Sequence, residues 1–259
     1  MLILYEICRK REILLKVIFM AKETESSKAA LQYLLDVRTN IVGAVIREND
    51  NVLQKICKMN DISIYTEKEL LSNFRNGNLE VDYILSFYWK RISKEILNIP
   101  TIGSINFHPG PLPEARGSGY HIAIIENWGY WGVTAHYMDE EFDTGKIIEC
   151  RHFSIDSNIV NKDLVNITHK NLFNLFKDII NQIREKKELE AVLQKNGRYF
   201  SLKELESMKL IQENEQVEEI DNKIRAFWNP PYSGAQIELK GKRYTVINDE
   251  ILQWIAERI

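Results

Sequence analysis

Three polar side chains in the middle of the chain have the types and spacing that acyl transfer to an amine requires. Asn106 and His108 lie two residues apart at the end of a predicted strand, so their side chains point to the same side of it. Asp143 follows on a predicted loop that closes with the turn residue Gly145. A loop rich in proline and glycine begins directly after His108, and such a loop is stiff yet lets its backbone approach a ligand.

An amide, an imidazole and a carboxylate can transfer an acyl group without a covalent intermediate. The Asn106 amide can donate to the acyl oxygen, on which negative charge develops, and a protonated His108 can donate as well. A nearby carboxylate raises the pKa of a histidine, so we expect Asp143 to keep His108 charged. Asp143 could also take the proton that the amine loses, directly or through a water. We see no nucleophile motif around a serine or cysteine and no metal-ligand cluster, so the predicted reaction uses no metal.

Each of the three residues has a simpler interpretation when it is taken alone. Asn106 could cap a turn, His108 could be a hydrogen-bonded loop histidine, and Asp143 could belong to an exposed acidic run. Their combination within the proline and glycine frame favours the catalytic interpretation.

The composition limits the class of protein. Of 259 residues, 44% are hydrophobic and 27% charged, the balance of a soluble globular protein, and the formal net charge of -3 argues against a general nucleic-acid binder. Three widely spaced cysteines without a CxxC motif argue against a disulfide scaffold and predict a cytoplasmic location. We find no run apolar enough for a membrane span, and residues 1–12 are interpreted as an N-terminal extension rather than a signal peptide.

The elements that must position these residues alternate between strands and helices in the first half. Strands are predicted over residues 14–20, 41–46, 62–65, 82–87 and 102–107, and helices over 26–37 and 51–59. Thr66 opens a further helix, with Glu69 completing a capping box. This alternation predicts an α/β fold, a Rossmann-like, mainly parallel sheet with helices on both faces. In such folds the site lies outside the carboxyl ends of the strands.

The second half changes pattern. Strands are predicted over residues 132–138 and 146–153, followed by a long helix over 162–185. The polar stretch 184–196 marks a boundary, after which Ser201 opens a helix with Glu204 as a second capping box. A helix over 217–227 and a hairpin over 237–246 follow. We therefore expect residues 1–190 to form a catalytic domain and residues 191–259 a small C-terminal α+β module.

The central segment resembles the folate-dependent formyltransferases. The resemblance rests on N-F-H-P-G-P-L-P-x-x-R-G from Asn106, then G-V-T-A-H-Y-M-D from Gly132, then D-T-G-K-I-I from Asp143. A weaker likeness over residues 224–236 is to the start of the C-terminal module of longer members. The resemblance implies that Asn106, His108 and Asp143 are catalytic and that the one-carbon donor is 10-formyltetrahydrofolate. It also implies that His136 either supports these residues or is an ordinary strand residue.

The resemblance further implies where the two substrates bind. The folate is expected beside the loop that follows the strand before Asn106 and beside the loop before Asp143, at Ser86, Phe87, Tyr88, Trp89, Ile92, Asp139, Glu140 and Phe142. The aromatic residues of this set could equally be core packing. The acceptor is expected at Arg116, Gly117 and Tyr120.

Three acceptor amines are compatible with this family resemblance. From Lys187 onward the chain has eleven Lys and Arg against thirteen Asp and Glu, which argues against binding tRNA there. Gly110 and the run 117–119 also depart from the tRNA-type pattern, and the purine-pathway enzyme lacks the extra module. The chain is most similar to the sugar N-formyltransferases, which formylate nucleotide-linked amino sugars for bacterial surface glycans such as lipopolysaccharide O-antigen and are often homodimers. Methionyl-tRNA formyltransferase and a non-catalytic folate- or nucleotide-binding protein are the alternatives.

Overall fold

The structure is a computed structural model, and it describes residues 15–88 and 90–258. The predictions that fall on the N-terminal extension and on Trp89 lie outside the described residues. The strands are β1 Lys16–Ala21, β2 Asn40–Ile46, β3 Tyr83–Phe87, β4 Gly103–His108, β5 Arg116–Gly117, β6 Tyr130–Tyr137, β7 Ile147–Ser154, β8 Tyr199–Phe200, β9 Gln236–Leu239 and β10 Lys242–Thr245. The helices are α1 Glu25–Asp36, α2 Asn51–Met59, α3 Glu67–Arg75, α4 Lys94–Leu97, α5 Tyr120–Ile125, α6 Asn161–Arg184, α7 Leu202–Met208, α8 Val217–Phe227 and α9 Asp249–Ala256.

The central sheet has the strand order β2-β1-β3-β4-β6-β7. Strands β2, β1, β3 and β4 are parallel, whereas β6 and β7 join antiparallel to their neighbours. The predicted Rossmann-like, mainly parallel α/β fold is confirmed. Since β4 pairs with β3 on one side and β6 on the other, its carboxyl end lies in the interior of the sheet.

The main core determines which face of β4 each side chain lies on. Phe107 stacks on Phe87 with ring centroids 5.2 Å apart and meets Phe176 of α6 edge-on at 4.8 Å. All three rings are buried. Because side chains alternate along a strand, burying Phe107 on this face directs Asn106 and His108 to the opposite face.

Capping and strand pairing differ from the sequence predictions at two places. The Thr66 box is confirmed, since both reciprocal hydrogen bonds with Glu69 are present. At α7 only half of the predicted box forms: Ser201 accepts from the Glu204 N–H, but no return bond from the Glu204 side chain is present among the described contacts. The strand predicted over 62–65 is reduced to one bridge, between Ile64 and Ala44.

The C-terminal elements share a second core with the first half of the chain. Phe200, Leu205 and Phe227 are buried together with Trp131 of β6 and Ile122 of α5. The C-terminal helices and the β9–β10 hairpin thus pack on the elements that follow the His108 loop. The division at residue 190 stays a prediction. Within residues 15–88 and 90–258, no helix combines the length and the apolar character needed to cross a membrane.

Candidate active site

The structure brings Asn106, His108 and Asp143 together at the carboxyl end of β4. His108 Nδ1 lies 3.4 Å from Asp143 Oδ2, and Asn106 Nδ2 lies 3.5 Å from Asp143 Oδ1. Asn106 and His108 are 7% and 4% exposed, so both are almost withdrawn from water. The site lies where the predicted fold places it, outside the carboxyl ends of the parallel strands.

Asp143 lies on the β6–β7 loop in the left-handed region, with a φ of 56°. Its Oδ2 accepts a hydrogen bond of 2.9 Å from the Gly117 N–H. Burial acts to raise the pKa of Asp143, but the His108 imidazole and, to a smaller extent, the Gly117 N–H lower that pKa well below its usual range. Asp143 is therefore an ionised carboxylate at neutral pH.

His108 donates from Nε2 to the Ala115 carbonyl at 2.8 Å, which leaves Nδ1 facing Asp143. Burial lowers the pKa of His108, although Asp143 and the Ala115 carbonyl act in the opposite direction. The prediction that Asp143 keeps His108 charged is therefore wrong, because desolvation of the imidazolium outweighs its attraction to the carboxylate. His108 is neutral in the free protein near pH 7.

His136 contacts both catalytic candidates beside it. It pairs with Asn106 across β4 and β6, and its Nδ1 donates to the Tyr137 carbonyl at 2.8 Å. Its Nε2 is then an acceptor, 3.2 Å from Asn106 Nδ2 and 3.6 Å from Asp143 Oδ1. Asn106 Oδ1 is buried, and no other residue within 15–88 and 90–258 makes a hydrogen bond with it. His136 thus fixes the orientation of the Asn106 amide.

A narrow cleft opens next to Asn106, His136 and Asp143. Most of the predicted folate residues line it: Tyr88, Ile92, Asp139, Glu140 and Phe142. Two loops form its walls, one after β3 and one before Asp143. Arg91 pairs with Glu141, and Lys94 pairs with Glu140 at 2.7 Å, so ion pairs link the two walls.

Two of the predicted folate residues lie elsewhere. Phe87 belongs to the main core, where it stacks on Phe107, so it is not a wall of the cleft. Ser86 is fully buried in β3 and accepts a hydrogen bond of 3.2 Å from the Tyr88 N–H, which shapes the loop from below. The prediction fails for Phe87 because alternation along a strand turns it away from the site.

The predicted acceptor residues have three different roles in the structure. Arg116 donates to Gln194 Oε1 at 3.0 and 3.3 Å, and Gly117 provides the N–H that Asp143 accepts. The Tyr120 ring packs on Trp131 in the second core, with centroids 5.6 Å apart. Of the three, Gly117 has direct contact with a catalytic candidate.

Sequence reasoning missed two side chains that shape the site. Thr134, opposite His108 in the β4–β6 pair, accepts from the Leu112 N–H and donates to the Gly110 carbonyl, which fixes the loop after His108. Gln194 contacts the Asp143 loop from the polar stretch interpreted as a boundary. Strand register would have indicated Thr134, but no local signal distinguishes Gln194 from its polar neighbours.

A family model described as formyl transferase matches residues 10–180. A methionyl-tRNA formyltransferase of Clostridioides difficile is 29% identical over 166 residues, covering 58% of this chain and 53% of the relative. The bifunctional polymyxin resistance protein ArnA of Wigglesworthia glossinidia brevipalpis is 31% identical over 185 residues, covering 68% of this chain and 27% of the relative. The chain thus spans about half the length of the first relative and less of the second.

Three solved formyltransferase structures match over more of their length. WlaRD, a sugar 3N-formyl transferase solved with dTDP and 5-N-formyl-THF, is 25% identical with a TM-score of 0.70, covering 89% of this chain and 84% of its own. An N-formyltransferase from Helicobacter canadensis, in complex with folinic acid and dTDP-3-aminofucose, is 25% identical with a TM-score of 0.71, covering 86% and 84%. A 4-N formyltransferase from Francisella tularensis shares the fold, with 21% identity, a TM-score of 0.75, and coverage of 91% and 97%.

Proposed function

The chain belongs to the formyl transferase family, and from this membership we propose that it transfers a formyl group from 10-formyltetrahydrofolate to the amino group of a nucleotide-linked amino sugar. The observation that carries the proposal is the meeting of Asn106, His108 and ionised Asp143 beside a cleft walled by two loops. A buried amide, imidazole and carboxylate in contact suit attack by an amine on a formyl carbon.

Asn106 acts on the formyl group, and His108 acts on the carboxylate of Asp143. The amine nitrogen attacks the formyl carbon, and negative charge develops on the formyl oxygen. The bond between the formyl carbon and the folate nitrogen then breaks, and the charge on the oxygen is lost. The N–H of Asn106 that faces Asp143 across 3.5 Å is at the limit of a hydrogen bond, so it is available to that oxygen. Neutral His108 donates from Nε2 to the Ala115 carbonyl, so its Nδ1 faces the carboxylate as a lone pair that can accept a proton.

Asp143 takes the proton that the attacking amine loses. Its depressed pKa keeps it ionised, so it can accept the proton at neutral pH. The Nδ1 lone pair of His108, 3.4 Å away, holds that proton before it passes to the folate nitrogen that departs. The proton count then balances: the amine loses one proton and tetrahydrofolate gains one.

The cleft between the loop after β3 and the loop before Asp143 is the proposed folate site. It is lined by Tyr88 and Phe142 and reaches the side chains of Asn106 and Asp143. Phe142 also stacks near Tyr199 of β8, so the C-terminal part of the chain supports this wall. WlaRD was solved with 5-N-formyl-THF and the Helicobacter canadensis enzyme with folinic acid, which supports a folate here.

The acceptor class rests on two observations. WlaRD and the Helicobacter canadensis enzyme, each 25% identical to this chain, were solved with a dTDP compound, and each is covered over 84% of its length. The acidic balance after Lys187 disfavours a polyanionic tRNA on the C-terminal elements. With this acceptor we propose a cytoplasmic enzyme, a homodimer without a nucleic-acid or membrane partner, that serves surface-glycan synthesis.

Methionyl-tRNA formyltransferase is the second candidate, because several curated relatives carry that name. A folate- or nucleotide-binding protein without turnover is a weaker third, since it would have no chemical need for all of Asn106, His108 and Asp143.

Turnover on a panel of acceptors tests the proposal. The panel contains several nucleotide-linked amino sugars, charged initiator tRNA and glycinamide ribonucleotide, with tetrahydrofolate release followed by absorbance. We expect turnover with one amino sugar, and a loss on the order of 100-fold in kcat for His108→Ala, because this variant loses the imidazole that takes part in the proton transfer. Turnover with tRNA alone would assign the chain to the second candidate, and folate binding without turnover on any acceptor would favour the third.

A further inference from the structure

The segment from residue 185 to residue 200, called here the linker segment, runs past the Asp143 loop. Its backbone pairs with β7 through two hydrogen bonds of 2.9 Å between Val192 and Ile147. Further on, the Arg198 carbonyl accepts from the Arg116 N–H at 2.9 Å. The part of the segment between these anchors is therefore fixed at both ends beside the candidate active site.

Gln194 lies between the two anchors and uses its whole side-chain amide. Its Nε2 donates to the backbone carbonyls of Asp143 at 2.9 Å and Gly145 at 2.7 Å. Its Oε1 accepts two hydrogen bonds from the Arg116 guanidinium, at 3.0 and 3.3 Å. Both donor hydrogens and the acceptor oxygen are satisfied, which fixes the rotation of the amide.

The Asp143 loop needs such an external support. Asp143 adopts a left-handed backbone, which is unfavourable for a residue with a side chain, and the β6–β7 register shifts between Ala135 and His136. The regular ladder of β6 and β7 therefore does not by itself determine where the Asp143 carboxylate lies. The loop is also closely packed, because a Cβ on Gly145 would lie 1.8 Å from the Tyr137 carbonyl oxygen.

We propose that Gln194 is a positioning residue that sets the place of the Asp143 carboxylate relative to His108 Nδ1. Its Nε2 donates to the carbonyls of the residues on both sides of Thr144, while the Arg116 guanidinium donates to the Oε1 of Gln194 and so fixes the Gln194 amide. The role rests on the proposed function, because it serves the proton transfer assigned to Asp143. The linker segment thus helps to position a catalytic residue.

Three variants test this role by steady-state kinetics. Gln194→Ala removes both sets of bonds, and Gln194→Glu keeps the acceptor for Arg116 but places a carboxylate against two carbonyl oxygens. Gln212→Ala is the matched control, since this exposed glutamine also donates to a backbone carbonyl, that of Leu210, away from the site. We expect a fall in kcat of roughly 10- to 100-fold for both Gln194 variants, with KM and melting temperature close to wild type.

Unchanged kcat in Gln194→Ala would overturn the proposal, and so would a loss confined to KM or to melting temperature. Full activity in Gln194→Glu with loss in Gln194→Ala would also overturn it, because the contact with Arg116 would then be sufficient.

A readout without turnover separates this role from the proposed function. The imidazole nitrogen shifts of His108, assigned by comparison with His108→Gln, report the position of the Asp143 carboxylate in the free protein. We expect Gln194→Ala to move these shifts and Gln212→Ala to leave them unchanged. A wild type silent on every acceptor, together with moved His108 shifts, would reject the proposed function but keep the positioning role. Unmoved shifts would reject the positioning role whatever the turnover.

Discussion

The two sides of the candidate active site are held by different means. Asn106 and His108 lie on β4, which pairs on both edges and has Phe107 buried beneath it. Asp143 lies on a loop with a left-handed backbone, held by the Gly117 N–H and by the Gln194 amide. The strand side depends on the sheet and its core, whereas the loop side depends on a few polar contacts from distant parts of the chain.

This difference predicts what a substitution does on each side. A change beneath the strand side should reduce the free energy of unfolding, because it removes core packing. A change on the loop side should leave the free energy of unfolding nearly unaltered and reduce the rate, because it moves or discharges a group that acts on the substrate.

Asp143→Asn should have the largest effect. The amide keeps the shape of the carboxylate but cannot take the amine proton, so we expect kcat to fall by about 100-fold or more. The melting temperature should stay near that of the wild type. Steady-state kinetics measures kcat, and thermal unfolding measures the melting temperature. Asp178→Asn, an exposed carboxylate paired with Arg151, is the control. Wild-type kcat in Asp143→Asn would remove Asp143 from the proposed proton transfer.

Phe87→Ala and Phe142→Ala compare the two sides directly. Phe87 is packed against Phe107 in the core, so its truncation should cost about 3 kcal/mol of unfolding free energy and leave folate affinity unchanged in the folded protein. Phe142 lines the cleft, so its truncation should weaken binding of a folate analogue with little change in stability. Denaturant unfolding and calorimetric titration with 5-formyltetrahydrofolate check the pair. Weakened folate binding without loss of stability in Phe87→Ala would instead place Phe87 in the folate site.

Much of this molecule could be predicted from its sequence. Continuous apolar runs indicated β1, β2 and β4, in which consecutive residues are buried on both faces of the sheet, and helical apolar spacing indicated α6, which buries one side. The site residues 106, 108 and 143 could be found because their types, spacing and turn residues occur in one segment. The sequence could not give the direction in which the pKa of His108 shifts. That direction depends on whether burial, which lowers the pKa, outweighs the Asp143 carboxylate, which raises it, and both effects depend on the three-dimensional structure. Nor could the sequence give Gln194, whose partners at 116, 143 and 145 meet it only in the fold.

His136→Ala should have an intermediate effect. It removes the acceptor that orients the Asn106 amide, so we expect kcat to fall by roughly 10-fold while the unfolding free energy changes little at this strand position. His136→Gln can place an acceptor near Asn106 and should recover part of the rate. Equal rates in the two variants would show that orientation of Asn106 does not depend on this contact.

The smallest expected effect is a pH dependence that separates the two sides. The pKa of His108 is lowered by burial, so the unfolded chain binds a proton more readily, and the free energy of unfolding should decline as pH falls below the usual histidine value of about 6.5. The pKa of Asp143 is also lowered, so its contribution should be complete above about pH 4 and be lost only in more acidic solution.

Urea unfolding across pH 3 to 8 distinguishes these windows. His108→Gln should flatten the curve just below about pH 6.5, whereas Asp143→Asn should flatten it only below about pH 4. If His108→Gln instead steepened the decline in the first window, the pKa of His108 in the folded protein would be raised rather than lowered. Asp143 would then keep the imidazole charged, and His108 would act on the formyl oxygen as a cation rather than as a neutral partner of the carboxylate.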